Sequence, residues 1–398
     1  MMGPFDITDP LPGVGTTLLE ASAGTGKTWT IGALVTRFVA EEGVPLERML
    51  VVTFGRAASQ ELRERVRTQL VEAERALAGE PVTDPSDLLE LLLACTTVDR
   101  ATMHRRVAEA LAGFDAATIA TTHQFCSMVL GSLGVAGDTD ARARLVEDLD
   151  ELLGEVVDDL YLRAFAYAEA DPVFTHAEAH AIARTAVNDP QARLEPAAEE
   201  PGTVAGRRVA FAHAVRVEME RRKRRLGILS YDDLLSQLAT ALEDEDAPAR
   251  ARMRQRWQIV LVDEFQDTDP VQWQVLDRAF SGHATMVLIG DPKQAIYAFR
   301  GGDVATYLQA AATAGRRQTL AVNWRSDAAL LEPLQRMLAG AALGDERIVV
   351  HDVEAHHQEG RLVGAPGGAP FRLRVVRRDQ FTKRGTNPLT VAPACMAI

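Results

Sequence analysis

The feature that most constrains the fold is a repeated alternation between short apolar segments and helical patterns. The apolar segments of strand length are residues 16–20, 49–54, 117–121, 259–263, 286–291 and 319–322. Helical patterns follow the first three of them, at residues 29–41, up to about residue 78, and from residue 122. Strands that alternate with helices predict an α/β fold in which a parallel sheet is joined by crossover helices.

The sheet-forming sequence is divided by a region of different character. Residues 138–225 are rich in Ala, Glu and Arg, have helical periodicity and contain no convincing strand. We therefore predict an all-helical insertion between two segments of one sheet. Another helix is expected after about residue 330, followed by a glycine-rich polar stretch at 359–369 and a strand-like segment that begins at Phe371.

A glycine-rich turn follows the first predicted strand and precedes the first predicted helix. It consists of Ala21, Ser22, Ala23, Gly24, Thr25, Gly26, Lys27 and Thr28. This context is the one a P-loop requires: backbone N–H groups and the helix N-terminus cradle phosphates, Lys27 reaches the β- and γ-phosphates, and Thr28 ligates Mg²⁺. The sequence thus predicts a site for ATP and Mg²⁺.

A pair of acidic residues ends the predicted strand at 259–263. We assign Asp263 to the Mg²⁺ shell and Glu264 to activation of the attacking water, since adjacent residues at a strand end can face the metal and the γ-phosphate. Asp267 or Asp269 could instead cap a helix, but this leaves the acidic pair unexplained. The P-loop is shared with kinases and GTPases, so by itself it indicates only an NTPase.

The acidic pair opens a longer motif, Asp263-Glu264-Phe265-Gln266-Asp267-Thr268, which resembles the signature of UvrD-like superfamily 1 DNA helicases. Other motifs of this family have counterparts in the same order. They are Thr53-Phe54 with Ala57-Ala58, Thr122-His123-Gln124-Phe125, residues 290–301, and Asn323-Trp324-Arg325-Ser326. Gly55-Arg56 departs from the commoner Thr-Asn of the family. The resemblance implies a RecA-like P-loop NTPase sheet flanked by helices.

The resemblance also assigns roles around ATP. It implies that Gln294 senses the γ-phosphate, that Arg325 stabilises charge on the transferred phosphoryl group, and that Trp324 stacks on adenine.

The same resemblance places the contacts to single-stranded DNA on a second group of residues. They are Phe54, Arg56, His123, Tyr297, Phe299 and Arg300. Bases can stack on the aromatic members. Tyr297 and Phe299 could instead belong to the core, and His123 could be a helix cap or a buried polar residue.

Within the superfamily, the P-loop and the segment 229–235 look most like the RecB and AddA branch, with RecB favoured. The resemblance implies a 3′-to-5′ translocase that acts on single-stranded and duplex-end DNA in double-strand-break repair, with RecC- and RecD-like partner subunits. The alternative is a nucleotide- and DNA-binding module that does not unwind DNA.

We expect four segments. Residues 1–137 and 226–330 form the ATP-binding motor domain, 138–225 form the helical insertion, and 331–398 begin a second RecA-like domain. No later helicase motif is found after residue 326, so the chain is expected to be an N-terminal fragment with impaired activity.

The charge of the chain limits how it can bind DNA. A net charge of −13 opposes bulk attraction to phosphates, so binding requires a local groove. One basic run lies at 207–225, and it could equally be a solvated helix face.

The chain has no apolar run of membrane-spanning length and no signal peptide, so we expect a cytoplasmic protein without a membrane partner. Cys95, Cys126 and Cys395 follow no ligand or disulfide spacing and are predicted to be free thiols.

Overall fold

The computed structural model describes residues 2–133, 144–146, 148–167, 171–188, 193–196, 203–295, 303–361, 363–364 and 370–373. The chain divides into two compact units, one that ends at Ala321 and one that begins at Val322. This division falls a few residues before the boundary expected at residue 330. In the described part of the chain, no helix combines the length and the apolar character needed to cross a bilayer.

The strands of the described residues are numbered in chain order. They are β1 (Gly3–Pro4), β2 (Gly15–Glu20), β3 (Met49–Thr53), β4 (Thr118–Thr121), β5 (Arg144–Leu145), β6 (Ile228–Leu229), β7 (Ile259–Val262), β8 (Thr285–Gly290), β9 (Arg316–Thr319), β10 (Val322–Asp327), β11 (Ala342–Leu343), β12 (Asp345–Val349) and β13 (Glu354–His357).

The helices are numbered in the same way. They are α1 (Lys27–Arg37), α2 (Arg56–Ala78), α3 (Asp87–Ala94), α4 (Arg100–Ala112), α5 (Thr122–Leu133), α6 (Asp150–Phe165), α7 (His176–Asn188), α8 (Val204–Leu226), α9 (Tyr231–Ala241), α10 (Pro248–Arg256), α11 (Pro270–Phe280), α12 (Val304–Thr313) and α13 (Ala328–Leu338). A short π-helix, Phe38–Glu42, continues α1.

The first unit is built on a seven-stranded sheet in the order β1-β9-β2-β8-β7-β3-β4. Every pairing in it is parallel. The central strands are apolar and almost fully buried, as is typical of a parallel sheet covered by helices on both faces. The predicted α/β class with a parallel, helix-flanked sheet is confirmed. Because all strands run in one direction, the segments that follow β2, β8, β7, β3 and β4 meet at one edge, where ligands bind in such folds.

One predicted strand is wrong. Residues 319–322 were expected to form it, but β9 ends at Thr319 and β10 begins at Val322. Leu320 lies between them, and its N–H donates to the Glu20 carbonyl. The strand that enters the sheet contains Arg316 and Arg317, which are exposed, so its polar sequence carries no apolar signal.

The helical region between the two sheet segments has a core of its own. Helices α6, α7 and α8 pack together around Val156, Val157, Ala183 and Val215, which are all fully buried. The expectation of no strand at 138–225 needs one correction, because β5 pairs in parallel with β6. This two-residue strand is too short to leave a periodic pattern in the sequence.

The second unit contains a parallel pair, β10 with β13, an antiparallel pair, β11 with β12, and helix α13. The helix expected after residue 330 begins at Ala328. Residues 371–373 of the strand-like segment are irregular, and the rest of that segment lies outside the described residues. The interpretation of this unit as the beginning of a second RecA-like domain stays a prediction.

Candidate nucleotide site at the carboxyl edge of the sheet

The glycine-rich turn connects β2 directly to α1. Gly24 and Gly26 have φ angles of 82° and 90°, which side-chain-bearing residues rarely adopt, and Gly26 is the N-cap of α1. The Thr25 hydroxyl donates to the Ser22 carbonyl at 2.8 Å, which closes the turn. The loop that precedes the N-terminus of α1 therefore contains glycines that allow its backbone to approach an anion.

Lys27 and Glu264 meet at this edge. The Lys27 Nζ lies 2.8 Å from Glu264 Oε2, although the two residues are 237 positions apart in sequence. The side chain of Lys27 is only 11% exposed and that of Glu264 is 36% exposed, so the pair is partly withdrawn from water. Two residues that were assigned to one reaction from the sequence are thus brought into direct contact.

Asp263 directly follows β7 and is almost completely buried. Burial, and then the charge of Glu264, raises the pKa of Asp263 to about 6, while Lys27 acts in the opposite direction. The Glu264 N–H donates to Asp263 Oδ1 at 3.0 Å. A buried carboxylate with a second carboxylate beside it is stabilised by a cation. This donor set, with the Thr28 hydroxyl in the first turn of α1, fits a divalent metal ion.

The backbone bends sharply at Glu264, which has φ 48° and ψ 45°. This left-handed conformation is uncommon for a residue with a long side chain, and strain of this kind is concentrated at functional sites. The 3-10 helix Phe265–Asp267 begins at the next residue. The bend thus places consecutive side chains, Asp263 and Glu264, in different surroundings.

Gln266 was not predicted as a site residue, yet it links two of the motifs. Its amide nitrogen donates to Glu264 Oε2 at 2.8 Å, and its amide oxygen accepts from the Asp291 N–H at 2.9 Å. A Cβ at Gly290 would lie 2.7 Å from Gln266 Oε1 and 3.1 Å from two backbone nitrogens. Only glycine leaves room for this contact.

A second ionic cluster follows β8. Lys293 Nζ lies 2.7 Å from both Glu20 Oε1 and Asp291 Oδ1, and both carboxylates are buried. Burial works to lower the pKa of Lys293, but the two carboxylates outweigh it and the pKa is raised. The predicted γ-phosphate sensor, Gln294, donates to Asp291 Oδ2 at 2.7 Å. Tyr307 lies under this cluster, and its buried hydroxyl has no hydrogen-bond partner among the described residues.

Glu20, Asp291, Lys293 and Tyr307 were missed by sequence reasoning. A signal existed for the first three, because charged residues at the end of a buried strand, or within a few residues of it, are unusual unless they are paired. Tyr307 gave no signal, since an aromatic residue in an amphipathic helix is expected in the core.

The predicted DNA contacts at the ends of β3 and β4 are linked by another residue that the sequence did not single out. The Arg56 guanidinium donates to the Tyr231 hydroxyl at 2.8 Å, and the rings of Tyr231 and His123 pack edge to face at 5.0 Å. Burial lowers the pKa of His123, while the charge of Asp232 opposes this shift. Phe54 lies half-buried at the end of β3. The signal for Tyr231 was its position next to the Ser230–Asp233 capping box that begins α9.

Residues 10–314 match the UvrD/REP helicase N-terminal domain. This chain belongs to the UvrD/REP helicase family. It is 61% identical over 381 residues to the RecBCD enzyme subunit RecB of Mycolicibacterium smegmatis, an alignment that covers 96% of this chain and 35% of the relative.

Two other RecB subunits extend the comparison. Identity is 57% over 387 residues with RecB of Mycobacterium tuberculosis, covering 97% of this chain and 35% of that protein. It is 28% over 457 residues with RecB of Escherichia coli, covering 83% and 38%. The predicted resemblance to the RecB branch is confirmed, and the chain spans about a third of the length of these relatives.

Three of the expected helicase contacts, Tyr297, Phe299 and Arg300, lie outside the described residues. Trp324 and Arg325 belong to the second unit, where Trp324 stacks on His356 with ring centroids 4.0 Å apart and the Arg325 side chain is exposed. Their helicase roles stay predictions.

The basic run at 207–225 lies within α8, and several of its charges are paired. Arg221 and Arg222 both contact Glu218, Arg222 also contacts Asp159, and Lys223 is buried against Asp233 at 2.5 Å. These contacts favour a structural role for this part of the run over a DNA-binding surface.

Of the cysteines, Cys95 and Cys126 are free thiols, as predicted, and Cys395 lies outside the described residues.

Proposed function

We propose that this chain forms the ATP-hydrolysing motor domain of a RecB-type DNA helicase. The observation that carries the proposal is the contact between Lys27 and Glu264 at 2.8 Å, because it joins the phosphate-binding loop after β2 to the acidic pair after β7. The strand between them, β8, contributes Asp291 and Gln294 to the same edge. Phosphoryl transfer requires just these parts: a phosphate cradle, a metal-binding carboxylate and a group that orients water.

In the proposed site, the P-loop amides and Lys27 bind the phosphates, while Thr28 and Asp263 hold Mg²⁺. A Mg²⁺ ion held by these residues would supply positive charge that offsets the charge of the phosphates. The phosphates compete with Glu264 for the Lys27 ammonium, which frees the Glu264 carboxylate from its partner. Gln266 retains its hydrogen bond to Glu264 and so keeps the carboxylate oriented.

Glu264 is then the base for hydrolysis. It accepts a proton from the attacking water as the water oxygen bonds to the γ-phosphorus and the bond from that phosphorus to the β–γ bridging oxygen breaks, leaving ADP and phosphate. Gln294, which donates to Asp291 after β8, responds to the γ-phosphate in this proposal. For Arg325 and Trp324, the roles of transition-state cation and adenine contact rest on the family resemblance alone.

The DNA side of the motor is proposed for the ends of β3 and β4. Phe54, Arg56 and His123 contact single-stranded DNA there by stacking and phosphate contacts. The family resemblance adds Tyr297, Phe299 and Arg300 to the DNA-binding residues. From the resemblance we infer 3′-to-5′ translocation on duplex-end DNA during double-strand-break repair, as part of an enzyme with RecC- and RecD-like subunits. A cytoplasmic location stays a prediction.

The test measures binding of a fluorescent ATP analogue with Mg²⁺, and ATP hydrolysis with and without single-stranded DNA. Lys27→Ala is expected to weaken nucleotide binding by about tenfold or more, because the main phosphate cation is lost. Glu264→Gln is expected to keep binding close to wild type and to abolish DNA-stimulated hydrolysis.

Arg105→Ala is the matched control, because its pair with Glu109 is exposed and distant in sequence from every motif. If Lys27→Ala bound nucleotide as tightly as the control, or if Glu264→Gln hydrolysed ATP as fast as the control, the proposed site would be wrong.

A further inference from the structure

A cluster of three side chains in the helical region is unrelated to the nucleotide site. Asp158 lies on α6, and His176 and His180 lie on α7. The Nε2 atoms of His176 and His180 lie 2.7 Å and 3.3 Å from the same carboxylate oxygen, Asp158 Oδ1. Three potential metal ligands therefore converge on one point.

The spacing of the two histidines suits chelation. Residues four apart on a helix lie on the same face, and the two imidazole rings are 4.6 Å apart between centroids. One ligand atom from each of the three residues lies within 4.8 Å of the others. A tetrahedral ion with bonds of about 2.0–2.1 Å needs its ligand atoms about 3.3 Å apart, so small side-chain rotations would accommodate it.

The surrounding structure holds the ligands in place. Thr175 and Glu178 form a reciprocal capping box that sets the start of α7 at His176. Tyr161 of α6 packs edge to face on the His176 ring at 5.3 Å, and its hydroxyl donates to the Phe174 carbonyl. The two helices also share a buried core, so the cluster sits on a rigid helix pair.

The cluster is also open to solvent. The side chains of Asp158, His176 and His180 are 56%, 52% and 37% exposed, so an ion can reach them without unfolding. Two imidazoles and one carboxylate match the ligand preference of zinc-like ions, whereas Mg²⁺ and Ca²⁺ prefer oxygen ligands alone. The carboxylate supplies negative charge where the N-terminal end of α7 would otherwise disfavour a cation.

We propose that Asp158, His176 and His180 form a binding site for a divalent transition-metal ion of the zinc class, which clamps α6 to α7. With three protein ligands, the remaining coordination position belongs to water. The site is distinct from the proposed Mg²⁺ position at Thr28 and Asp263, and it does not depend on the proposed helicase activity.

Calorimetric titration of the 398-residue chain with Zn²⁺, in excess Mg²⁺ to saturate the nucleotide-site carboxylates, tests the proposal. Wild type is expected to show a 1:1 event that the double variant His176→Ala/His180→Ala lacks. Each single His→Ala change, and likewise Asp158→Asn, is expected to weaken the affinity for Zn²⁺ by about tenfold or more. A parallel titration with Co²⁺ should give visible d–d absorption in wild type and not in the double variant.

His213→Ala is the matched control, since His213 is an exposed histidine on α8 of the same helical region. It should bind Zn²⁺ like wild type. Because the ligand side chains are exposed, all variants should keep the wild-type circular dichroism spectrum. Equal Zn²⁺ binding by wild type and the double variant, wild-type affinity weaker than about 1 mM, or equal weakening in the control would each overturn the site.

Discussion

The carboxyl edge of the seven-stranded sheet has two halves, a nucleotide half and a half proposed to contact DNA, and they are organised in different ways. At the ends of β2, β8 and β7, charged side chains are paired. Lys293 lies between the buried carboxylates of Glu20 and Asp291, and the largely buried Lys27 contacts the half-buried Glu264. At the ends of β3 and β4, Arg56 contacts Tyr231 at an exposed position.

The nucleotide half is therefore preorganised by charge pairs withdrawn from water, where the lower dielectric strengthens them. The other half keeps the Arg56 cation near water, where the proposed function has it contact the phosphates of DNA.

The largest effect is expected from Lys293→Met. It leaves Glu20 and Asp291 buried without their cation, and such losses cost about 3–5 kcal/mol in the free energy of unfolding. Chemical denaturation measures this cost. The control is Arg105→Met, which breaks an exposed pair and should cost less than about 1 kcal/mol. An equal decrease in the free energy of unfolding in the two variants would contradict the inferred difference between buried and exposed charge pairs.

An intermediate effect is expected from Gly290→Ala. The added Cβ would lie 2.7 Å from Gln266 Oε1, so the link between Gln266 and Asp291 must shift, at a cost of about 1–3 kcal/mol. ATP-analogue binding should weaken together with thermal stability.

Gly154→Ala is the control, since nothing lies near a Cβ there and the position is inside α6. This change should stabilise the chain by about 0.5–1 kcal/mol. A Gly290→Ala chain as stable as wild type would show that the nucleotide half is less rigid than inferred.

The smallest effect is expected from Tyr231→Phe. The ring contact with His123 is kept and only the hydroxyl that accepts from Arg56 is lost, so the free energy of unfolding should change by less than about 1 kcal/mol. Affinity for single-stranded DNA, measured by fluorescence anisotropy, should change a few-fold, while ATP-analogue binding stays at the wild-type value. A change in ATP-analogue binding alone would contradict the division of the edge into two halves.

Much of the fold could be predicted because its signals are local. Strands β3, β7 and β8 have mostly apolar sequences, and the P-loop is marked by glycines between a strand and a helix. The short or polar strands β1, β5 and β9 escaped prediction, since two residues have no period and Arg316 and Arg317 have no apolar face.

The residues of the candidate site also differ in whether a local signal in the sequence identifies them. Lys27, Asp263, Glu264 and Gln294 were found from motifs, because each motif is contiguous in sequence. Gln266, Lys293 and Tyr231 act through partners on other strands or helices, and a local pattern that draws attention to such a residue does not identify its partner.

The sequence alone therefore determined the chemistry available to this protein: a phosphate loop, an acidic pair and the ordered motifs of the UvrD/REP helicase family. Only the tertiary structure decided which of these groups meet. The pairing of Lys27 with Glu264 and of Lys293 with Glu20, 273 positions apart, depends on β8 lying between β2 and β7. Strand order is set by the packing of the whole sheet, so it leaves no mark on any single segment of the chain.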